Sequence, residues 1–132
     1  MKTKFSLLCD YASRDIFGKA MMIGVFDSIN AASVPFLHPV FYYAFCLEAS
    51  SAENGQHQFS IRLYENETKE EISNINDNFT LSVDGEGNHT IVIGFNGTVF
   101  PRIGVYILDF FIDGEHFASE RLKVNLIKNQ IE

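Results

Sequence analysis

The stretch Phe100–Leu126, FPRIGVYILDFFIDGEHFASERLKVNL, decides the fold class. Pro101 and Gly104 punctuate its start, a run of β-branched and aromatic residues follows, Asp113-Gly114 supplies a turn, and a second run returns. Apolar runs flanking Asp-Gly are a β-hairpin signature. Side chains alternate between the faces of a strand, so Tyr106, Leu108, Phe110 and Ile112 share one face and Val105, Ile107, Asp109 and Phe111 the other. Asp109 makes the second face the wetter one. On the return strand Leu122, Val124 and Leu126 alternate with Arg121, Lys123 and Asn125. A two-residue loop pairing Ile112 with Glu115 would set Tyr106 opposite Arg121 and put the two apolar rows on opposite faces. A three-residue Asp113-Gly114-Glu115 loop with a bulge pairs Ile112 with His116, Phe110 with Ala118 and Tyr106 with Leu122. That register gives one apolar face, and it is the one the sequence predicts.

Working outward, the rest of the chain carries the same pattern. Lys4–Tyr11 and Ala20–Asp27 read as strands joined by a turn that uses Ser13, Asp15 and Gly18, and Ser28–Pro39 reads as a connection because Pro35 and Pro39 remove backbone donors. Phe41–Ala49 is apolar on both faces, as a central strand requires, and Gln58–Tyr64 alternates with one wet face. Glu65–Asn78 is polar and reads as a loop with at most one short turn. Phe79–Val83 and Ile91–Phe95 form a second hairpin around Asp84–Asn88, Asn96-Gly97 reads as the next turn, and Lys128–Glu132 as a polar tail. About eight strands with frequent turns and no helical period predict an all-β chain, a single antiparallel immunoglobulin-like β-sandwich over residues 1–132, with a closed barrel as runner-up.

Composition sets limits on function. The chain has 132 residues, 46% of them hydrophobic, with thirteen Phe, five Tyr and no Trp, which suits a packed core that needs no metal or disulfide. Its formal charge is -7. Residues 1–47 hold four Lys and Arg against three Asp and Glu, residues 48–86 two against nine, and residues 87–132 four against five. The excess is therefore confined to the middle. An acidic chain without a basic stripe argues against nucleic acid and against an anionic membrane surface. Phe5–Cys9 is too short for a signal-peptide core, Leu8 is wrong before a lipoprotein cysteine, and the run Val40–Leu47 cannot span a bilayer. Cys9 and Cys46 lie in predicted strands and read as buried free thiols, a bridge between neighbouring strands staying open. A cytoplasmic location is expected.

Gly18-Lys19, the run Met22-Ile23-Gly24-Val25-Phe26-Asp27, Pro35, His38-Pro39, Phe100-Pro101, Gly104, Tyr106 and Asp113-Gly114 run through nearly the whole chain. With this pattern it resembles an uncharacterised family of small bacterial and phage-associated proteins. The resemblance implies a compact sandwich, assigns no chemistry and brings no catalytic residues.

No reactive constellation emerges from the spacings. Asp84, Glu86 and Asn88 alternate in a Gly-rich loop and offer oxygens that calcium would accept, yet Gly and Asp are also ordinary hairpin-loop residues. His38, His57, His89 and His116 fall on separate elements without metal-ligand spacing, and the Ser residues lack a nucleophile elbow. Gly18-Lys19 lacks the rest of a phosphate loop. Four Asn-x-Thr triplets, at Asn66, Asn78, Asn88 and Asn96, are explained by turn and strand composition. The sequence thus favours a non-catalytic interaction or structural module without a cofactor, binding another protein or a second copy of itself. Lys19, Asp27, His38, Asp109, Arg121 and Lys123 are its candidate contact residues. The alternative is a small-ligand or calcium-dependent binding domain using Asp84–Asn88, and a hydrolase built from dispersed His and Asp residues is the weakest reading.

Overall fold

The computed structural model describes residues 1–127, so the predicted tail Lys128–Glu132 lies outside the described residues. Nine strands follow one another: β1 (Lys2–Arg14), β2 (Ala20–Phe26), β3 (Ser28–Ala31), β4 (Phe36–Ser50), β5 (Gly55–Glu65), β6 (Glu71–Leu81), β7 (Glu86–Phe100), β8 (Gly104–Ile112) and β9 (Glu115–Leu126). A single 3-10 turn, Ser51–Glu53, joins β4 to β5. The strands form a four-stranded sheet in the order β2-β1-β4-β7 and a five-stranded sheet in the order β3-β9-β8-β5-β6. Among the described residues no helix is long and apolar enough to cross a membrane.

The two sheets share one core. Tyr43, Phe45, Leu47 and Ile91 of the first sheet meet Ile61, Leu63, Tyr106, Leu108, Phe110, Leu122 and Val124 of the second, all in one buried cluster. Phe110 lies between Phe45 and Phe59, with ring centroids 4.3 and 5.8 Å away. Ala44, between Tyr43 and Phe45, points the other way and joins Cys9, Ala12, Met22 and Val92 in a second, smaller cluster on the far face of the first sheet. Cys9 is opposite Tyr42 and Cys46 opposite Phe5, four residues apart along β1. At about 3.3 Å per residue that offset is far beyond a disulfide's reach, and both thiols are free.

The terminal hairpin corrects the predicted tip. Ile112 pairs with Glu115 across a two-residue Asp113-Gly114 loop, not with His116 across three. Asp113 and Gly114 have φ of 50° and 81°, the left-handed pair of a type I′ turn, whose twist matches that of the strands. The extra residue demanded by parity is Phe117, which bulges between the pairs Phe111–His116 and Phe110–Ala118. Beyond it Tyr106 faces Leu122, as predicted, and both are buried. Leu126 is not in the core but exposed at the strand end.

Four other expectations change. Phe79–Val83 and Ile91–Phe95 do not form a hairpin, because β6 and β7 lie in different sheets. Glu65–Asn78 is not a loop: β6 begins at Glu71 and pairs with β5, a strand whose polar Asn74, Asn76 and Asn78 face outward. Asn96-Gly97 is not a turn, since β7 continues through it alongside β4. Within the predicted Ser28–Pro39 connection, β3 pairs parallel with β9, so the strands are not all antiparallel.

Candidate interaction surfaces

The β1–β2 hairpin ends in a loop organised from inside by Asp15. Its Oδ1 accepts hydrogen bonds from the amides of Phe17 and Lys19 at 2.8 and 2.9 Å, and its carbonyl accepts from Gly18 N at 3.0 Å. With the polar groups satisfied inward, Ile16 and Phe17 stand 93% and 78% exposed. Along β2 the side chains of Met21, Ile23 and Val25 are 47%, 66% and 62% exposed, and Ile23 lies opposite Tyr11. β2 ends its sheet, and among the described residues its outer side has no strand beside it. Soluble proteins commonly blunt such an edge with Lys, Pro or an inward charge. Ala20–Phe26 holds none of these. Gly24 holds φ 70°, a left-handed conformation that residues with a side chain rarely adopt, and the Asp10 carboxylate lies against it.

Sequence reasoning named Lys19 in this region but missed Ile16, Phe17, Met21, Ile23 and Val25. The available signal was an Ile-Phe pair inside a turn next to a seven-residue strand without a charge. The structure places Lys19 at the tip, exposed, with Nζ 5.9 Å from the Phe17 ring. Asp27 follows β2, exposed, where its carbonyl accepts from Lys123 N at 3.0 Å. These two predicted residues bracket the edge strand.

Asp109, Arg121 and Lys123 lie instead on the outer face of the second sheet, so the six predicted contact residues do not form one surface. Around Asp109 a polar network closes: Ser119 Oγ donates to Asp109 Oδ1, Tyr64 OH donates to Oδ2 at 2.8 Å, and His116 Nε2 lies 3.2 Å from Oδ1 and 2.9 Å from Ser119 Oγ. Burial pushes the Asp109 carboxyl up, but the bonds from Ser119, Tyr64 and His116 outweigh it and hold the group below its ordinary range. Tyr64 is raised in turn by its bond to Asp109. These residues are the three types of a Ser-His-Asp triad in a different arrangement. Ser119 gives its proton to the carboxylate, and Asp109 meets the same ring nitrogen that faces Ser119 rather than the opposite one. In a working triad the carboxylate orients the far nitrogen and leaves the near one to take the serine proton. The network therefore holds β5, β8 and β9 together.

His57 makes a second network at the end of the second sheet. Nδ1 lies 2.7 Å from Asp113 Oδ2 and Nε2 lies 2.7 Å from the Glu53 carbonyl, while Asp113 Oδ1 accepts from Gln58 N at 2.9 Å. Both partners of the ring are acceptors, an arrangement that favours the doubly protonated ring, and the bond to Asp113 raises the His57 pKa. His38 is the reverse case. It sits among the rings of Phe26, Phe36 and Phe41 at 5.4 to 6.4 Å, its buried Nδ1 has no partner among the described residues, and burial lowers its pKa.

The predicted calcium loop is not a loop in the structure. Glu86 and Asn88 belong to β7, opposite Ser50 and Glu48, and only Asp84 stays in the turn. Glu86 and Asn88 line an open groove with Lys2, Lys4, Glu48 and Ser50. Among the described residues no group of three or more His, Cys, Asp and Glu gathers as a metal ion would need.

The sequence model of a family of unknown function (DUF6941) matches residues 4–125. No curated protein matches the chain. Among solved structures, the chain is similar to the Pseudomonas fluorescens alkylpurine DNA glycosylase AlkC bound to DNA containing an abasic site analog. The TM-score is 0.53 at 12% identity, over 75% of this chain and 28% of that one. At that identity the likeness is one of fold.

Proposed function

The chain belongs to the DUF6941 family of unknown function over residues 4–125, and we propose that it is a non-catalytic protein-interaction module on an immunoglobulin-like sandwich, docking through the β2 edge and the Ile16–Phe17 tip. The edge carries this reading: an uncharged strand with open backbone groups and exposed Met21, Ile23 and Val25 is equipped to accept another strand. Two features support the immunoglobulin-like description. Tyr106 OH donates to the Arg102 carbonyl four residues upstream at 2.6 Å, as in a tyrosine corner, and β3 lies parallel to β9 at the margin of the sheet centred on β8 and β5.

The Asp109 network supports a structural rather than catalytic role for its serine and histidine. A charge of -7 without a basic stripe favours a protein partner over nucleic acid or an anionic membrane. The two free buried thiols accord with a cytoplasmic setting. The test is photocrosslinking in cells from p-benzoylphenylalanine placed at Ile23, with Asn76 on the opposite edge strand β6 as control. Adducts are expected from position 23, lost when Val25 is also changed to Lys. Equal yields from both positions would end the proposal.

A further inference from the structure

We infer that the occupant of the β2 edge is a second copy of this chain, its β2 running antiparallel about a two-fold axis through Ile23, so that two four-stranded sheets become one of eight strands. This deepens the interaction-module reading and rests on it. The charges that bracket β2 select the arrangement. Lys19 precedes the strand and Asp27 follows it, both exposed, and no charge lies between them. With Ile23 on the axis, each residue faces the one equally far beyond Ile23 in the other copy. Lys19 of each copy then faces Asp27 of the other, once at each end. Parallel pairing would set Lys19 against Lys19 and Asp27 against Asp27. A slip of two residues along the antiparallel register would separate the unlike charges.

The apolar residues agree with the same register. Met21 faces Val25 of the second copy and Ile23 faces its own equivalent, so exposed apolar side chains meet along the seam, with Tyr11 beside Ile23 in each copy. Long-range charge points the same way. Residues 48–86 hold nine acidic against two basic residues, whereas residues 1–47 are close to neutral. Contact through β2 therefore uses the part of each copy that does not repel the other.

Sedimentation equilibrium of the full chain, across concentration and salt, tests this with Lys19→Glu, Asp27→Lys and the double variant. The unmodified chain is expected to dimerise. Each single change sets like charges together at both ends and should weaken the dimer roughly tenfold. The double variant restores unlike pairs and should recover the original affinity. A monomer at every concentration, a dimer indifferent to either single change, or a double variant weaker than both singles would overturn the self-pairing. Both sites are exposed, and unchanged melting temperatures of the variants confirm that folding is intact. The Ile23 photocrosslink separates this inference from the reading beneath it. A covalent dimer joined at position 23 supports both, an adduct only with a different protein overturns self-pairing and keeps the docking edge, and the lack of any adduct overturns both.

Discussion

His57 meets an acceptor at each ring nitrogen, and that makes one part of the stability titrate. Its folded pKa is raised above the ordinary value by Asp113, so its contribution is complete below about pH 6.5 and fades as pH rises through the folded value. Asp113 is lowered by the Gln58 amide and by His57, so its own contribution is present above about pH 4 and fades as pH falls through the lowered value. The clasp is strongest between these limits. His57→Gln should therefore lower the melting temperature by about 2–5 °C at pH 5.5 and by much less at pH 8.5. The difference between the two proteins is the quantity to follow in thermal scans, because His38 and His89, lowered by burial, favour the fold at the higher pH. The buried Nδ1 of His38, surrounded by three phenylalanine rings, lacks a partner among the described residues. His38→Phe removes that acceptor at nearly constant shape and should stabilise by about 1 kcal/mol, read as a higher denaturation midpoint. A fall in the midpoint would mean that a water or neighbour satisfies this nitrogen.

The terminal hairpin shows what a strand reveals about itself. Parity alone required one extra residue between Ile112 and Leu122, and Phe117 provides it, two residues later than the turn where it was expected. Periodicity counts residues but does not say where a bulge sits, because an I′ turn and a wider loop both accept Asp-Gly. Deleting Phe117 should thus do far more than Phe117→Ala. The substitution loses part of a side chain packed near Phe45 and should cost about 1–3 kcal/mol by chemical denaturation. The deletion reverses the facing of Leu122 and Val124 and should leave no cooperative unfolding transition; a folded deletion mutant would show that the bulge is dispensable. β6 escaped sequence reading for the complementary reason. Asn74, Asn76, Asp77 and Asn78 make it look like a loop, but its outer face is meant for water while Ile72, Ile75, Phe79 and Leu81 answer to the core. Asn96-Gly97 misled because a glycine with φ 65° also fits inside a long edge strand. The β2 edge was half legible. Its bracketing charges stand out in the sequence, whereas the exposure of Met21, Ile23 and Val25 depends on β2 lying last in its sheet.

On the scale of the whole molecule, one core joins both sheets, so the chain should unfold as a unit. Cys9 and Cys46 report on it, being buried on adjoining strands, with the Cys9 thiol raised by burial. A thiol reagent should label neither in the native protein and both in denaturant; rapid native labelling would show that the second cluster opens locally. The parallel contact of β3 with β9 has a consequence for synthesis. Ser28–Ala31 is synthesised well before Lys123–Leu126, its one partner in the sheet among the described residues. The intervening residues 32–122 must be translated before this seam can close, and until then Ile29, buried in the finished domain, stays accessible. The nascent polypeptide, rather than the finished domain, is where a chaperone would have the most to shield.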